Sequence, residues 1–122
     1  MGKIERFEDI QAWQKARKLN QRIYEVTNSI SFRHDFALKD QIRRAAISIM
    51  LNIAEGFAPR TNQELARLLF MAHGSVTEVQ SALYIAKDQA YLSEQDFDTL
   101  YQVADELSRL ISGFIKCLRG TE

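Results

Sequence analysis

The sequence predicts an all-α protein, an antiparallel up-down-up-down four-helix bundle. Apolar residues recur every three or four positions through four long segments, which is the spacing of one helix face. Only five glycines and one proline interrupt the 122 residues. Two capping sequences led by Thr61 and Ser93 mark helix starts. Because the links between the segments are short, neighbouring helices should run antiparallel. We expect one domain spanning residues 1–122.

The first helix is predicted over residues 8–28, with Phe7 packing onto its first turn. Its apolar seam contains Ile10, Trp13, Ala16, Leu19, Ile23, Val26 and Ile30. Four cations lie on or near its outer side: Lys15, Arg17, Lys18 and Arg22. Such a ridge is either a solvated surface or a set of phosphate contacts, and the second requires a neighbouring basic ridge.

The second helix is predicted over residues 36–57, with Asp35 as its N-cap, Gly56 at its end and Pro59 barring its continuation. A core stripe steps along it by three and four residues through Leu38, Ile42, Ala45, Ile49 and Ile53. A second apolar stripe contains Ile47, Met50, Leu51 and Ala54. A helix that is apolar on two sides is buried on more than one side. Since a four-helix domain has one core, the second stripe predicts contact with another copy of the chain.

A narrow polar stripe separates the two apolar stripes of the second helix. The candidate polar network combines this stripe with neighbouring groups on helices two and three: Arg43, Arg44, Ser48, Asn52, Glu55, Ser75 and Glu78. Buried polar groups need hydrogen-bond partners, so we expect Arg44 to reach Ser48 and Asn52 and Glu55 to bind across to another helix. Two interpretations stay open. The network either fixes helix register and subunit geometry, or it lines a small polar pocket.

The third helix should begin near Asn62, because Thr61 and Glu64 have the spacing of a capping box. Its seam contains Leu65, Leu68, Leu69, Ala72, Val76, Val79, Leu83, Ala86 and Ala90. Phe70 and Met71 lie off this seam and join the second stripe of helix two as the candidate subunit contact. Gly74 in mid-helix is unfavourable relative to alanine, and a close helix or subunit approach would explain it.

The fourth helix is predicted over residues 94–118, following a capping sequence that starts at Ser93. Its seam contains Phe97, Leu100, Ala104, Leu107, Ile111, Phe114 and Leu118. Cys117 lies among apolar neighbours and is expected to be a buried, inert thiol. A single cysteine excludes an intramolecular disulfide.

Composition and motifs argue against several function classes. The net charge is zero, but residues 1–60 carry a net +4 and residues 61–122 a net −4 (11 cations and 7 anions, then 5 and 9). This asymmetry favours packing of basic against acidic surfaces within or between chains. Neither His34 nor His73 has a His or carboxylate three or four residues on, and no phosphate-binding or dinucleotide glycine motif occurs. We therefore expect no metal, no cofactor and no enzymatic activity. The charged N-terminus and the absence of a long apolar run predict a cytoplasmic protein with no membrane partner.

Segments 7–16, 41–57, 71–83 and 91–100 together resemble the bacterial four-helix-bundle proteins encoded in intervening sequences of large-subunit ribosomal RNA genes. The accessory protein of diversity-generating retroelements is similar in fold. The resemblance implies a ring-shaped homopentamer, and in the retroelement relative the ring binds nucleic acid and reverse transcriptase through basic surface. Members of the family usually have a proline and a small residue where this chain has Met50 and Leu51, so the usual kink of helix two should be weaker or absent.

The sequence and the resemblance together predict a non-enzymatic homo-oligomer, a pentamer, that acts as a binding scaffold. The predicted partner is RNA or a nucleic-acid-handling protein, contacted through Lys15, Arg17, Lys18 and Arg22. Repetition around a ring would strengthen a weak patch by avidity. The alternative is a protein-binding or structural module whose charge asymmetry serves only self-assembly. A third hypothesis, an enzyme, requires a convergent polar pocket around Arg44, Asn52, Glu55 and Glu78.

Overall fold

A computed structural model describes residues 4–58 and 61–120 of the chain. A short 3₁₀ turn at Phe7–Asp9 precedes four α-helices: α1 (Gln11–Thr27), α2 (Phe36–Gly56), α3 (Asn62–Asp88) and α4 (Glu94–Gly120). α1 and α3 each pack beside α2 and α4. The four helices enclose one apolar core to which all of them contribute. The predicted all-α four-helix bundle is confirmed.

Contacts between neighbouring helices show that they run in opposite directions. The Asn20 side-chain amide of α1 donates to the carbonyl of Ala46 in α2 at 2.6 Å. Farther along α1, the Thr27 hydroxyl accepts from Arg43, which comes earlier in α2, at 2.8 Å. The same reversed order appears between α2 and α3 and between α3 and α4, in the contacts Ser48–Ser75, Gly56–Leu65, Phe70–Arg119 and Tyr84–Tyr101.

Side-chain caps define three helix starts where the sequence places them. Asp35, Thr61 and Ser93 each accept from the backbone N–H three residues later, at 3.0, 3.1 and 3.0 Å. Such a cap satisfies one of the N–H groups that the first turn of a helix leaves unpaired. α1 begins at Gln11, later than predicted, because the preceding residues form the separate 3₁₀ turn. In that turn Phe7 packs edge-on against Trp13, with 5.1 Å between ring centroids. Pro59 lies outside the described residues.

The core stripe of α2 is confirmed, since all five of its predicted residues are buried. The prediction for Ile30 is wrong, because this side chain is 79% exposed. α1 ends at Thr27, so the helical spacing that would have carried Ile30 onto the core is lost. Phe32 is buried instead and lies 5.1 Å from the ring of Tyr91. This contact joins the loop between α1 and α2 to the loop between α3 and α4.

Two predictions near helix ends are also wrong. Cys117 is exposed, whereas burial was expected. It follows the buried Ile115 by two residues, which turns it about 200° around the helix, away from the core. Ala90 is exposed and not part of the α3 seam, because α3 ends at Asp88. Ala90 has a φ of 60°, a left-handed conformation that reverses the chain toward α4.

Two glycines on α2 and α3 differ in what they permit. A Cβ added to Gly56 would lie 2.7 Å from Cδ1 of Leu65, so the absence of a side chain allows the close approach of α2 and α3 at this end. Gly74 is exposed, and apart from its chain neighbours and the adjacent backbone of its own helix no described atom lies within 4 Å of where its Cβ would be. A close approach within the bundle therefore does not explain Gly74. The other predicted explanation for Gly74, contact with another subunit, stays a prediction.

Candidate nucleic-acid interface and subunit contact

The structure separates the four cations predicted on α1 into different environments. Lys18 and Arg22 are one turn apart and exposed on the outer surface. Arg17 lies toward the other flank, with its guanidinium 6.0 Å from the centre of the Trp13 ring. Lys15 is half-buried and forms an ion pair with Glu106 of α4. Lys18 and Arg22, which have no described carboxylate within ion-pair distance, form the exposed basic ridge of α1.

The ion pair between Lys15 and Glu106 changes the titration of the carboxyl group. Hydrogen bonding and charge attraction from Lys15 lower the pKa of Glu106, and the charge of Arg109 contributes further. A carboxyl group whose pKa is lower in the folded than in the unfolded protein stabilises the fold above its unfolded pKa. This stabilisation is lost as the pH falls through the folded pKa. Lys15 therefore helps to hold α1 against α4.

We expect the substitution Lys15→Met to raise the pKa of Glu106 toward the ordinary value of a glutamate, because methionine keeps the apolar stem and removes the charge. The pKa is measured by following the Glu106 carboxyl carbon by NMR during a pH titration. Lys18→Met is the matched control, since Lys18 is exposed on the same helix. An unchanged Glu106 pKa in the Lys15 variant would contradict the described pairing. The effect on stability should be small, since exposed ion pairs contribute little.

Part of the predicted polar network is assembled between α2 and α3. The Ser75 hydroxyl donates to the Ser48 hydroxyl at 3.0 Å. The Asn52 amide donates to the Ser48 hydroxyl and to the Ser48 carbonyl, at 3.0 and 2.9 Å. Ser75 is buried, and Ser48 and Asn52 are half-buried. The bond between Ser75 and Ser48 joins α3 to α2, which supports the register-fixing interpretation. Asn52 binds Ser48 one turn away within α2, so the expectation that it reaches another helix is wrong.

The two arginines of α2 lie elsewhere, contrary to the predicted network. Arg43 reaches back to α1, where it donates to the Thr27 hydroxyl at 2.8 Å and to Asn28 at 3.0 Å. Its guanidinium also lies 4.2 Å from the centre of the Tyr24 ring. Arg44 pairs with Asp40 at 2.8 Å on the surface instead of reaching Ser48. The physical reason is rotation around the helix: Arg43 faces α1 and Arg44 faces solvent, whereas Ser48 faces α3.

The two carboxylates of the predicted network, Glu55 and Glu78, are both exposed. No convergent pocket therefore forms from Arg44, Asn52, Glu55 and Glu78. Within residues 4–58 and 61–120, every buried side-chain nitrogen and oxygen has a hydrogen-bond partner. The same residues contain no cluster of three or more His, Cys, Asp or Glu side chains that could hold a metal ion.

The second apolar stripe of α2 lies on the outer surface of the bundle. Leu51 is 62% exposed, and Ile47 and Ala54 are half-buried beside it. Met50 is different, because it is half-buried and packs against the core. α2 is one uninterrupted helix through Met50 and Leu51. Ile47, Leu51 and Ala54 therefore lie along one face of a single helix.

Phe70 and Met71 are both about half exposed, but they lie on different sides of α3. Met71 precedes Ser75 by one turn and so lies on the flank facing α2, where Arg67 contacts its sulfur at 3.5 Å. Phe70 lies on the flank facing α4, with the Arg119 guanidinium 5.0 Å from its ring centre. Met71 can extend the apolar surface of α2, whereas Phe70 belongs to a separate surface.

One polar pair was not predicted from the sequence. His73 Nε2 and the Ser108 hydroxyl form a hydrogen bond of 2.9 Å between α3 and α4. The partners are 35 residues apart, so no local spacing signals the contact. Only the antiparallel register of the two helices places them opposite each other. His73 is half-buried at this contact.

The family model of the 23S rRNA-intervening sequence protein matches residues 8–113, nearly the full length of the bundle. The chain belongs to this family.

A solved structure supports the fold of this family member. It is a protein of unknown function from the S23 ribosomal protein family of Bacteroides thetaiotaomicron, which is 20% identical to this chain. The similarity covers 86% of this chain and 95% of the other, with a TM-score of 0.80. No curated protein matches the chain. Among the described helices of the chain, none is both long and apolar enough to cross a membrane.

Proposed function

We propose that this protein is a non-enzymatic, homo-oligomeric scaffold that folds as one domain, acts in the cytoplasm and binds RNA or a nucleic-acid-handling protein. The observation that carries the proposal is the exposed apolar stripe of α2. Leu51 is 62% exposed beside Ile47 and Ala54, although the core stripe on the same helix is already complete. Exposed apolar patches mark interaction sites. We infer that this one is buried against another copy of the chain. The pentameric state comes from the family resemblance.

Charge distribution supports assembly between unlike surfaces. The first half of the sequence carries a net +4 and the second half a net −4. Within the bundle, part of this asymmetry is used by the pair between Lys15 and Glu106. Exposed charges outside the basic ridge of α1 can meet opposite charges when subunits repeat around a ring. A ring would also multiply the exposed basic ridge of α1, so that weak individual contacts act together.

The RNA part of the proposal rests on the family and on the exposed basic ridge. Lys18 and Arg22 point away from the bundle, with Arg17 on the adjoining flank. Each phosphate that a cation neutralises releases counterions, so binding through this ridge should weaken steeply with salt. The mutual hydrogen bonding of Ser48, Asn52 and Ser75 leaves the α2 polar stripe as a structural feature and supports a non-enzymatic role.

The double charge reversal Lys18→Glu with Arg22→Glu is expected to reduce affinity for a labelled single-stranded RNA by at least about tenfold, a loss of about 1.4 kcal/mol. Fluorescence anisotropy over a series of salt concentrations gives both the affinity and the number of phosphate contacts. The matched control is Arg33→Glu with Arg44→Glu, which changes the net charge equally at exposed positions away from α1.

Equal loss of binding in both double variants would show that net charge alone matters and would contradict the assignment to α1. An oligomer that binds no RNA at low salt would favour the alternative function, a protein-binding or structural assembly module. That alternative has its own support in the neutral net charge of the chain.

A further inference from the structure

A cavity near the end of the α3–α4 pair is lined by cations and an exposed aromatic ring. It has a volume of about 510 Å³, and Phe70, Arg67 and Arg119 line it. A second cavity of about 220 Å³ shares Phe70 and Arg119 and adds His73 and Lys116. Phe70 is 47% exposed, so much of its ring is available to a ligand. The two cavities together form one recess, which we name the Phe70 recess.

Positive charge dominates the Phe70 recess. Arg67, Lys116 and Arg119 line it, together with one carboxylate, Glu64. In the part of the chain that the structure describes, no carboxylate lies within 4.0 Å of these three cationic groups. The contact described for Arg67 is the Met71 sulfur, and the contact described for Arg119 is the Phe70 ring. These cations are therefore free to bind an anion.

The combination of three cations with an exposed aromatic ring favours one class of anion as the ligand. Guanidinium groups bind phosphate oxygens through two parallel N–H donors, and an ammonium adds a mobile charge. An aromatic side chain stacks with a planar base, as in proteins that bind single-stranded nucleic acids. A simple inorganic anion would use the cations and leave Phe70 exposed. A ligand with both a phosphate and a planar ring uses all four side chains.

We propose that the Phe70 recess binds a nucleoside phosphate. Arg67, Lys116 and Arg119 hold the phosphate, and the base stacks on the Phe70 ring. The volume is in the range of small-molecule sites, which is roughly 300–1,000 Å³. The ligand is either a free nucleotide or the phosphorylated end of a nucleic-acid strand, since both present the same groups. The recess lies between α3 and α4, on other helices than the exposed basic ridge of α1 and the apolar stripe of α2. Of its residues, Arg67 also contacts Met71, which can extend that stripe. The proposal does not rest on RNA binding or assembly.

Isothermal titration calorimetry on the full chain tests the proposal with four probes: ADP, adenosine, inorganic phosphate and a 5′-phosphorylated RNA pentanucleotide. We expect saturable ADP binding with a dissociation constant on the order of 10⁻⁴ M. Adenosine and inorganic phosphate should each bind at least about tenfold more weakly than ADP. A pentanucleotide that binds more tightly than ADP identifies a strand end as the source of the nucleotide, and one that binds more weakly identifies a free nucleotide.

Substitutions test whether ADP binds in the Phe70 recess. Arg119→Gln and Arg67→Gln should each weaken ADP binding at least about tenfold. Phe70→Leu should weaken ADP but leave the affinity for inorganic phosphate unchanged. Arg22→Gln is the matched control on α1 and should bind ADP as the wild type does, even where it loses RNA. Circular dichroism melting checks that each variant folds.

Three results would overturn the proposal. They are no saturable ADP binding by the wild-type protein, ADP binding that the recess variants leave unchanged, and equal loss in the Arg22 control. None of these depends on the solution mass or on RNA binding through α1, so failure here is distinct from failure of the proposed function.

Discussion

Leu51→Glu is expected to dissociate the proposed oligomer into monomers while leaving each bundle folded. In the wild type, association would bury the exposed apolar stripe of α2, of which Leu51 is the most exposed large residue. A glutamate there would be desolvated without a partner, which is unfavourable for a charged group. We expect the dissociation constant to rise at least about a hundredfold, or about 2.7 kcal/mol. Light scattering at a fixed protein concentration measures the change in mass.

The structure makes Leu51→Glu a sharper test than a change that also includes Met50. Met50 packs against the core, so a charge there would disturb the fold as well as the surface. Ile30→Glu is the matched control, because Ile30 is 79% exposed and lies in the loop between α1 and α2. The control should keep the wild-type mass, and both variants should keep their helical circular dichroism. A Leu51→Glu protein of unchanged mass would rule out the α2 stripe as the subunit contact.

Asn20→Asp is expected to produce the largest loss of stability, about 3 kcal/mol or more at pH 7. Asn20 is 8% exposed, and its amide donates to the carbonyls of Ala46 and Ala16, at 2.6 and 3.3 Å. A carboxylate of nearly the same shape cannot donate, and it would place a negative charge against two carbonyl oxygens. The hydrogen bond that joins α1 to α2 would be replaced by repulsion between the carboxylate and the carbonyl oxygen of Ala46. Urea unfolding at constant protein concentration gives the free energy.

The loss should depend on pH in a defined direction. Burial beside carbonyl oxygens would raise the pKa of the introduced carboxyl above its unfolded value of about 3.9. The folded state then binds more protons than the unfolded state, so the variant is most stable below the unfolded pKa. It loses stability as the pH rises toward the folded pKa. Gln21→Glu is the matched control, since it makes the same chemical change at the next, exposed position of α1. A pH-independent deficit would contradict the assigned cause.

Much of the fold could be predicted from the sequence because the signals are local. Asp35, Thr61 and Ser93 cap helices through N–H groups only three residues away. The spacing of apolar residues in α2 identified a core stripe that is buried throughout. Predictions failed where a helix ended earlier than its pattern suggested, as at Ile30 and Ala90. The spacing of apolar residues can continue past the end of a helix, but beyond that end it no longer places their side chains on one face.

The candidate sites could be predicted only in part. Periodicity places Lys15, Lys18 and Arg22 on one side of α1, but it does not show that Lys15 meets Glu106. It groups Arg44 with Ser48, although one faces Asp40 and the other faces Ser75. A few tens of degrees of rotation decide whether a side chain meets a neighbouring helix or solvent. That rotation depends on how the helices pack.

The sequence by itself therefore determined four helices, where three of them begin, and which face of each is apolar. These features depend on hydrogen bonds and side-chain spacing within a few residues. The tertiary structure decided which polar groups pair, and it placed His73 opposite Ser108 and Phe70 beside Arg119. It also left Leu51 on the surface and turned Cys117 away from the core. These outcomes depend on the register and rotation of packed helices, which residues far apart in the chain determine jointly.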